Sequence, residues 1–266
     1  MSTNLLNRNG IISGDKVKTD KRDSLKLATF LSKNLLRSID IPTHEVLNFR
    51  QALRTREQLS RKRKRCINQV KGALLLQGIT IDTSGLTQKS IDYISKLDLP
   101  EIIKASVMIH IDTYKFISKQ IKEMELRAKD SISSQYKHNY EILSSIPGVG
   151  PITATTFLYE IGDWSRFENK KQIAAFIGLT PAEYSSGEHI RQGRITGQRN
   201  PRLRALLIEA SWLLITKDPA MREAYERIAT QAKGKKKAIV AIARKLICRM
   251  HSMIINQQSY QLGLLG

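Results

Sequence analysis

The hydrophobic residues of this chain recur with helical spacing, and the longest regular pattern begins just after Pro42. A seven-residue repeat of this kind is typical of a helix that packs lengthwise on a partner helix. We therefore predict one long helix over residues 43–77, starting near Thr43. Its packing seam has a polar centre and consists of Val46, Leu53, Ser60, Ile67 and Leu74, with Phe49 and Val70 as added partners.

A second apolar stripe predicts another helix, from Pro100 or Glu101 to about Ser131. Packed antiparallel on the first helix, it forms a long coiled-coil hairpin. The segment 78–100 between the two helices is rich in Thr, Ser, Asp and Gly, and we expect a connector of weak order there. The stripe comprises Ile103, Val107, Tyr114, Ile117, Ile121 and Met124.

The remaining pattern predicts a compact helical C-terminal domain, so the fold class is mostly α. A helix pair over 135–160 encloses a Gly-Val-Gly turn, and helices follow over 201–216, 221–229 and 238–255. We place His251 at the surface and expect the tail from Asn256 to be frayed. The core of this domain is expected to contain Trp164, Phe167, Ile173 and Phe176.

At the N-terminus, residues 1–14 show no clear period, and a helix is predicted from Thr19 or Asp20 to about Leu36. Asp20 and Asp23 are three positions apart and therefore share one helical face. Paired carboxylates can hold a divalent metal ion through their oxygen atoms. Acidic residues also complement the dipole at a helix start, so both interpretations stay open.

The overall charge narrows the class of partner. The net charge is +20 and the pI is about 10.1, which indicates a polyanion, with nucleic acid the first candidate and an anionic membrane the second. No apolar run approaches the ~18 residues that a spanning helix needs, and the N-terminus has no apolar signal core. Cys66 and Cys248 are isolated in the sequence, which indicates reduced thiols, no zinc site and a cytoplasmic location.

Much of the positive charge lies on the first long helix. Its centre has five consecutive cations: Arg61, Lys62, Arg63, Lys64 and Arg65. Like charges at this density repel each other unless something neutralises them. The run therefore predicts a basic rod that lies along DNA or RNA, and a solvated charged face is the alternative.

The turn Gly148-Val149-Gly150, between Pro147 and Pro151, separates two predicted helices. Glycine permits positive φ and lets backbone N–H groups point outward, and the start of the next helix favours anions. The pattern is typical of a helix-hairpin-helix that binds DNA phosphates without reading bases. A plain Gly/Pro turn is the alternative.

A loop of about 22 residues, 179–200, follows a helix that stops at Gly178, and unstructured loops that long are usually functional or disordered. Ser185 and Ser186 precede Gly187 in this loop. A serine can act as a nucleophile where cations stabilise its alkoxide, and a flexible Ser/Gly turn is the alternative. Two arginines also lie in the first turn of the next helix, where cations oppose the dipole and an anion is expected. The cations of this region are Arg191, Arg194, Arg199, Arg202 and Arg204.

Residues 140–255 resemble the C-terminal domain of the DEDD transposases of bacterial insertion sequences, the group that includes the pilin-gene invertase. The order and spacing of these motifs match over more than a hundred residues. The matching residues are Ile146–Pro151, Glu160–Asp163, Arg166-Phe167, Ala174–Pro181, Ser185–Gly187, Gly193–Ile195, Gly197, Asn200 and Leu203-Arg204. In addition, Lys18-Thr19-Asp20-x-x-Asp23 resembles the last two acidic positions of the family's four.

The resemblance implies a division of the chain and a chemistry. It implies a remnant of a RuvC-like α/β domain over 1–40, a basic coiled-coil hairpin over 41–135 that joins protomers as a dimer, and a helical transposase domain over 136–266. It further implies DNA cleavage and strand transfer with Ser186 as nucleophile (Ser185 as the fallback) and Mg²⁺ held by Asp20 and Asp23. Some family members are guided by a structured RNA, so a guide RNA is a further candidate partner.

The chain departs from the family pattern at its start. Only 19 residues precede Asp20, whereas the family's first two acidic residues lie on strands well upstream. A second hypothesis is therefore a truncated protein that binds nucleic acid and dimerises with or inhibits the full-length transposase. A third is an RNA-binding scaffold built on the basic hairpin.

Overall fold

The computed structural model describes residues 19–36, 41–183, 192–195, 200–231 and 234–263. The chain divides into two compact units, residues 1–42 and residues 43–266. The described helices dominate both units, which confirms the mostly α class.

In the first unit, the described structure is helix α1 (Asp20–Ser32) with a short extension. Thr19 caps this helix, and its side-chain oxygen accepts a hydrogen bond from the Arg22 N–H at 3.4 Å. The helix ends at Ser32 rather than near Leu36, because Asn34 adopts a left-handed φ of 52°. Residues 1–18, including the segment predicted to lack order, lie outside the described residues.

In the second unit, two long helices form the predicted antiparallel hairpin. They are α2 (His44–Leu75) and α4 (Glu101–Asp130), and Thr43 caps α2 by accepting the Val46 N–H at 3.3 Å. All four apolar seam positions of α2 are buried. Both helices are therefore confirmed close to their predicted bounds.

The seam of α2 does not serve a single partner. Val46 and Leu53 belong to the large core of the C-terminal helices, while Ile67 and Leu74 pack with residues of α4 such as Ile111. The long helix thus starts in one hydrophobic core and ends in another. The division of this unit at residue 135 stays a prediction, because α2 contributes to both cores.

The expectation of a weakly ordered connector over 78–100 was wrong. This segment contains helix α3 (Gln88–Ser95), which Thr87 caps by accepting the Ser90 N–H at 3.2 Å. Apolar side chains of α3 and of its flanking residues pack on the end of the hairpin where α2 and α4 are connected, and their burial orders the segment despite its polar composition. The buried residues are Leu86, Ile91, Ile94 and Leu99.

The C-terminal helices surround one central helix. From Ala154 to Ile161 every residue of α6 is buried, because helices pack on all its sides. Trp164, Phe167 and Ile173 are buried around it as predicted, and Phe176 is partly buried. The helices are α5 (Ser134–Ser144), α6 (Pro151–Ile161), α7 (Lys170–Ile177), α8 (Pro201–Lys217), α9 (Pro219–Gln231) and α10 (Lys235–Asn256).

The long loop after Gly178 is not wholly irregular. It contains two short antiparallel strands, β1 (Pro181–Glu183) and β2 (Gln192–Ile195). Pro181 lies opposite Ile195 and Glu183 lies opposite Gln192, with an irregularity between the two pairs. The prediction of an unstructured loop over 179–200 was therefore wrong for these two strands.

Two expectations for the C-terminus were also wrong. His251 is buried, and its Nε2 lies 3.1 Å from the carbonyl oxygen of Phe167. The tail is held by Tyr260, whose backbone N–H donates to Ser145 Oγ at 2.8 Å and whose hydroxyl donates to Asp218. The pKa of the Tyr260 hydroxyl is raised well above its usual value. Burial is the larger cause, and the hydrogen bond to Asp218 is the second.

Candidate nucleic-acid interface

The turn between α5 and α6 is shaped first by packing. Gly148 has a φ of +91°, and a Cβ added there would lie 2.7 Å from Leu213 Cβ and 2.8 Å from the Ala210 carbonyl oxygen of α8. Val149 is buried beside it, and its N–H donates to the Ile146 carbonyl oxygen at 3.0 Å. The glycine at 148 is therefore required by the turn and by the close approach of α8.

Gly150 differs from Gly148 in its surroundings. It is exposed, its φ is −81°, and an added Cβ would meet nothing within 4 Å. It directly precedes Pro151, the first residue of α6, and so lies at the helix start where an anion is favoured. Phosphate binding by this turn stays a prediction, and Gly150 is the glycine with room for it.

A buried carboxylate near the C-terminal end of α6 ties three elements together. Glu160 of α6 is 6% exposed and accepts hydrogen bonds from Arg202 Nη1 at 3.1 Å and from Asn200 Nδ2 at 3.2 Å. Arg54 of α2 lies 3.7 Å from the same carboxylate. Asn200 also caps α8, since its side-chain oxygen accepts the Leu203 N–H at 3.2 Å.

The two arginines in the first turn of α8 have partners within the protein. Besides Glu160, Arg202 pairs with Glu57 of α2, with 2.5 Å between its Nε and the carboxylate oxygen Oε2. Arg204 Nη1 lies 3.5 Å from the Gly178 carbonyl oxygen at the end of α7. The anion expected at these cations is present for Arg202 as the carboxylates of Glu160 and Glu57, whereas the described partner of Arg204 is a neutral carbonyl. Binding of nucleic acid by either arginine stays a prediction.

These contacts fix both ends of the serine loop. Gly178 ends α7 in the left-handed conformation, with φ 81° and ψ 33°, as predicted, and its carbonyl contacts Arg204. At the other end, Asn200 is bonded to Glu160. The predicted catalytic serines, Ser185 and Ser186, lie between β1 and β2 in the sequence and outside the described residues. Arg191 and Arg199 also lie outside them, and Arg194 lies on the strand β2.

The basic run of α2 has a different environment. Arg61 pairs with Glu57 at 2.5 Å. No carboxylate of the described residues pairs with Lys62, Arg63, Lys64 or Arg65, and all but the half-buried Arg63 are exposed. This stretch therefore offers cations to an external polyanion at no cost in internal ion pairs.

A groove of about 290 Å³ adjoins the basic run. It lies where α2 passes the first turns of α6 and α8, with Ile152 and Arg202 on its walls and Arg61 and Lys64 on its α2 side. The groove links the run to the exposed start of α6. The groove thus brings part of the basic run close to the first turn of α6, with the carboxylates of Glu57 and Glu209 also in its lining.

The predicted metal ligands lie in the first turn of α1. Asp20 and Asp23 are both exposed, and the described residues contain no group of three His, Cys, Asp or Glu side chains able to hold a metal ion. Two carboxylates fit Mg²⁺ only as part of its ligand set, since this ion requires about six oxygen ligands and retains waters. The metal assignment stays a prediction.

Sequence reasoning named Glu160 and Asn200 only as residues of the resemblance and gave them no structural role, and it did not single out Glu57. The signal for Glu160 is present in the sequence: it is a carboxylate at the end of a helix with no other charged residue, Pro151–Ile161. A charge in such a helix needs a cationic partner to be buried. The identity of that partner, 42 residues further on, requires the structure.

Comparisons with known proteins point to one family. Residues 140–226, which include the serine loop, Glu160, Asn200 and Arg202, match the family described as Transposase IS116/IS110/IS902. Residues 7–79 match the DEDD transposase model of the same IS110 group, across α1 and all of α2. The chain belongs to the IS110 family of transposases.

Three relatives illustrate this membership. The protein y4rJ of Sinorhizobium fredii is 30% identical over 262 residues, covering 87% of this chain and 65% of its own length. The transposase for insertion sequence element IS1111A of Coxiella burnetii is 25% identical, covering 92% and 69%. The pilin gene-inverting protein of Moraxella bovis is 34% identical over 123 residues, covering 45% and 38%.

This IS110-family chain spans about two thirds of the length of the first two relatives. Among its described helices, none is both long enough and apolar enough to cross a membrane.

Proposed function

We propose that this protein is an insertion-sequence transposase, which binds DNA in the bacterial cytoplasm and cleaves and rejoins its strands. The observation that carries the proposal is the family match over 140–226, which includes Ser186 in a loop anchored at both ends. Relatives named as a transposase and as a pilin gene-inverting protein support the same chemistry, since both rearrange DNA.

In the proposed reaction, Ser186 is the nucleophile, with Ser185 as the fallback. Its Oγ forms a bond to a backbone phosphorus while the bond from that phosphorus to the leaving strand's oxygen breaks. The hydroxyl proton passes to solvent or a base, and the leaving oxygen gains a proton. The resulting phosphoserine ester retains the energy of the broken bond, so the reverse attack by a second strand's hydroxyl restores a phosphodiester and the serine.

Cations around the loop would stabilise the pentavalent state. Arg191, Arg194 and Arg199 follow the serines in sequence and are the candidates, because their charge offsets the extra negative charge on phosphorus oxygens. Asp20 and Asp23 would supply two oxygen ligands to Mg²⁺. Such an ion stabilises charge on attacking and leaving oxygens.

The partners proposed are DNA, a structured guide RNA and a second copy of the chain. The cations of the α2 run that have no carboxylate partner among the described residues suit the phosphates of DNA or RNA. Exposed apolar residues on α4 repeat every seven positions, as a helix that pairs with a second copy requires. They are Ile102, Ile109 and Phe116, which are 77%, 64% and 65% exposed.

The test is a cleavage assay with Mg²⁺ on DNA that carries the ends of the insertion sequence. We expect wild-type protein to form a covalent protein–DNA product, Ser186→Ala to form none, and Ser185→Ala to retain it. Strand transfer by Ser186→Ala equal to wild type would exclude Ser186 as the nucleophile. Wild-type protein that binds this DNA without cleaving it would favour the second hypothesis, a protein that binds nucleic acid but does not cut it.

A further inference from the structure

A second cationic site lies on α10, remote from the basic run of α2. It is a pocket of about 350 Å³ between the start of α7, the helix α9 and the middle of α10. The helices α2 and α10 are not packed directly against each other. The lining of the pocket includes the four cations Lys170, Arg244, Lys245 and Arg249, together with Met221 and Cys248.

The charges of this pocket have one sign. Four of its lining residues are cations and none is a carboxylate. Arg249 has its own partners, since it lies 3.8 Å from Asp218 and its guanidinium lies 4.0 Å from the centre of the Tyr260 ring. Arg244 and Lys245 are half-buried, and no acidic side chain of the described residues pairs with either.

Half-buried cations without a counterion are unfavourable, because they lose hydration and repel one another. All the cations of the run on α2 except Arg63 are exposed to water and avoid this cost, whereas Arg244 and Lys245 are both half-buried. An anion in the pocket would remove the penalty. The floor at Met221 and the open volume leave room for a group of the size of a phosphate.

The thiol of Cys248 lies in the pocket and responds to the positive charges around it. Cys248 is half-buried, and its Sγ lies 3.6 Å from the Lys170 carbonyl oxygen. Burial raises the pKa of this thiol, while the positive charges of Arg244, Lys170 and Lys245 act in the opposite direction. All three cations therefore act on one point inside the pocket.

The cations continue along α10 towards its start. Lys237 is exposed and precedes Arg244 by seven residues, which places the two on one side of the helix about 10 Å apart. Lys235 and Lys236 are exposed beside it. This arrangement suits an extended polyanion that enters the pocket with one charged group and continues along the helix, rather than a single small ion.

We propose that the pocket between α7, α9 and α10 binds a backbone phosphate of a nucleic acid, as a site separate from the basic run of α2. The choice of a nucleic acid rests on the proposed function, whereas the preference for an anion rests on the pocket's charges alone. Two separate cationic surfaces allow the protein to hold two nucleic-acid segments at once.

The first test measures protection of Cys248. The full-length protein is treated with iodoacetamide, and the modification rates of Cys248 and the buried Cys66 are followed by mass spectrometry with no addition, inorganic phosphate, duplex DNA or single-stranded RNA. We expect a saturating oligonucleotide to slow modification of Cys248 several-fold, while the buried Cys66 reports whether the protein stays folded during the experiment. Whichever of DNA and RNA protects identifies the nucleic acid.

The outcomes separate this proposal from the proposed function. Protection in Ser186→Ala protein, which cannot cleave in that scheme, supports the pocket independently of catalysis. An unchanged Cys248 rate with saturating DNA and with saturating RNA would overturn the proposal. Protection by inorganic phosphate without protection by either oligonucleotide would overturn the nucleic-acid assignment.

The second test compares matched charge removals. Arg244→Gln with Lys245→Gln is set against Lys122→Gln with Lys129→Gln, two exposed lysines of α4. For the oligonucleotide that protects Cys248, we expect the pocket pair to reduce the slope of log K against log salt by about 0.9 per lost duplex contact, or about 0.7 for a single strand. Equal reductions by both pairs would contradict a specific site. If the double variant Arg244→Gln with Lys245→Gln does not fold, the same salt dependence is measured for Lys245→Gln alone.

Discussion

The first half of α2, up to Glu57, and its second half, from Arg61 to Lys71, are both rich in cations, but these cations have different partners. In the first half, Arg50 donates to the carbonyl oxygens of Tyr159 and Glu160 at 2.8 Å and 3.0 Å. Arg56 donates to Glu125 through two nitrogens at 2.8 Å and 2.6 Å. In the second half, four of the five consecutive cations have no carboxylate partner among the described residues.

The difference follows from what each half packs against. The first half of α2 lies on α6, whose last carbonyl groups and Glu160 need cationic partners. The arginines in the first half of α2 therefore bind groups of the protein itself. The second half contacts only α4 among the long helices, and its outer face meets water. The number of basic residues is therefore larger than the number available to bind nucleic acid. An arginine with two partners in the protein can bind a phosphate only by losing those partners.

The largest expected effect tests the packing of the Gly-Val-Gly turn against α8. Gly148→Ala should lower the free energy of unfolding by about 4 kcal/mol, from roughly 1–2 kcal/mol for a left-handed alanine and about 1–3 kcal/mol for overpacking. The overlap with Leu213 and the Ala210 carbonyl cannot be relieved without moving α8. Urea unfolding followed by circular dichroism measures it.

Gly150→Ala is the matched control two residues away. Its φ of −81° suits alanine, and the added methyl group meets no atom within 4 Å, so stability should change by less than about 1 kcal/mol. Equal destabilisation by the two variants would show that the turn is not held by α8. A loss of DNA affinity in Gly150→Ala with intact stability would support phosphate binding at this turn.

The next effect concerns the buried carboxylate on which the first half depends. Glu160→Ala should lower the free energy of unfolding by about 3 kcal/mol, because Arg202 and Asn200 lose a buried partner. The value lies at the low end of such changes, since Arg202 is 27% exposed and regains some hydration. Urea unfolding again provides the measurement.

Glu141→Ala removes an exposed carboxylate of α5 and provides the comparison for Glu160. A surface change of this kind should alter stability by no more than about 0.5 kcal/mol. If Glu160→Ala were equally mild, the ion pairs around Glu160 would contribute no net stability. Pairing within the protein would then not explain why the cations of the two halves of α2 differ.

The sequence predicts this fold well where one periodic pattern determines the element. The bounds of α2 and α4 follow from their apolar stripes and from Thr43 and Pro100. It fails where burial depends on a distant partner: α3 is ordered because its apolar residues pack on the hairpin, and His251 is buried because Phe167 offers it a carbonyl. At the site, the arginines are visible in the sequence, but the two carboxylates that pair with Arg202 lie 42 or more residues away from it.

The smallest expected effect on stability, and a clear one on binding, concerns the second half of α2. Replacing Lys62, Lys64 and Arg65 together with glutamine should change the free energy of unfolding by only about 0.5 kcal/mol, because these side chains have no described partner to lose. In fluorescence anisotropy with duplex DNA, the slope of log K against log salt should become shallower by up to about 2.7, at about 0.9 per phosphate.

The matched control removes three lysines of α4: Lys115, Lys119 and Lys122. Lys115 lies 3.9 Å from Asp112 and Lys119 lies 4.0 Å from Glu123, so much of their charge is already offset. Their replacement by glutamine should change the salt slope much less than the triple change on α2. If both triple variants lowered the slope equally, net charge rather than pairing would govern binding, and the contrast between the two halves of α2 would carry no functional meaning.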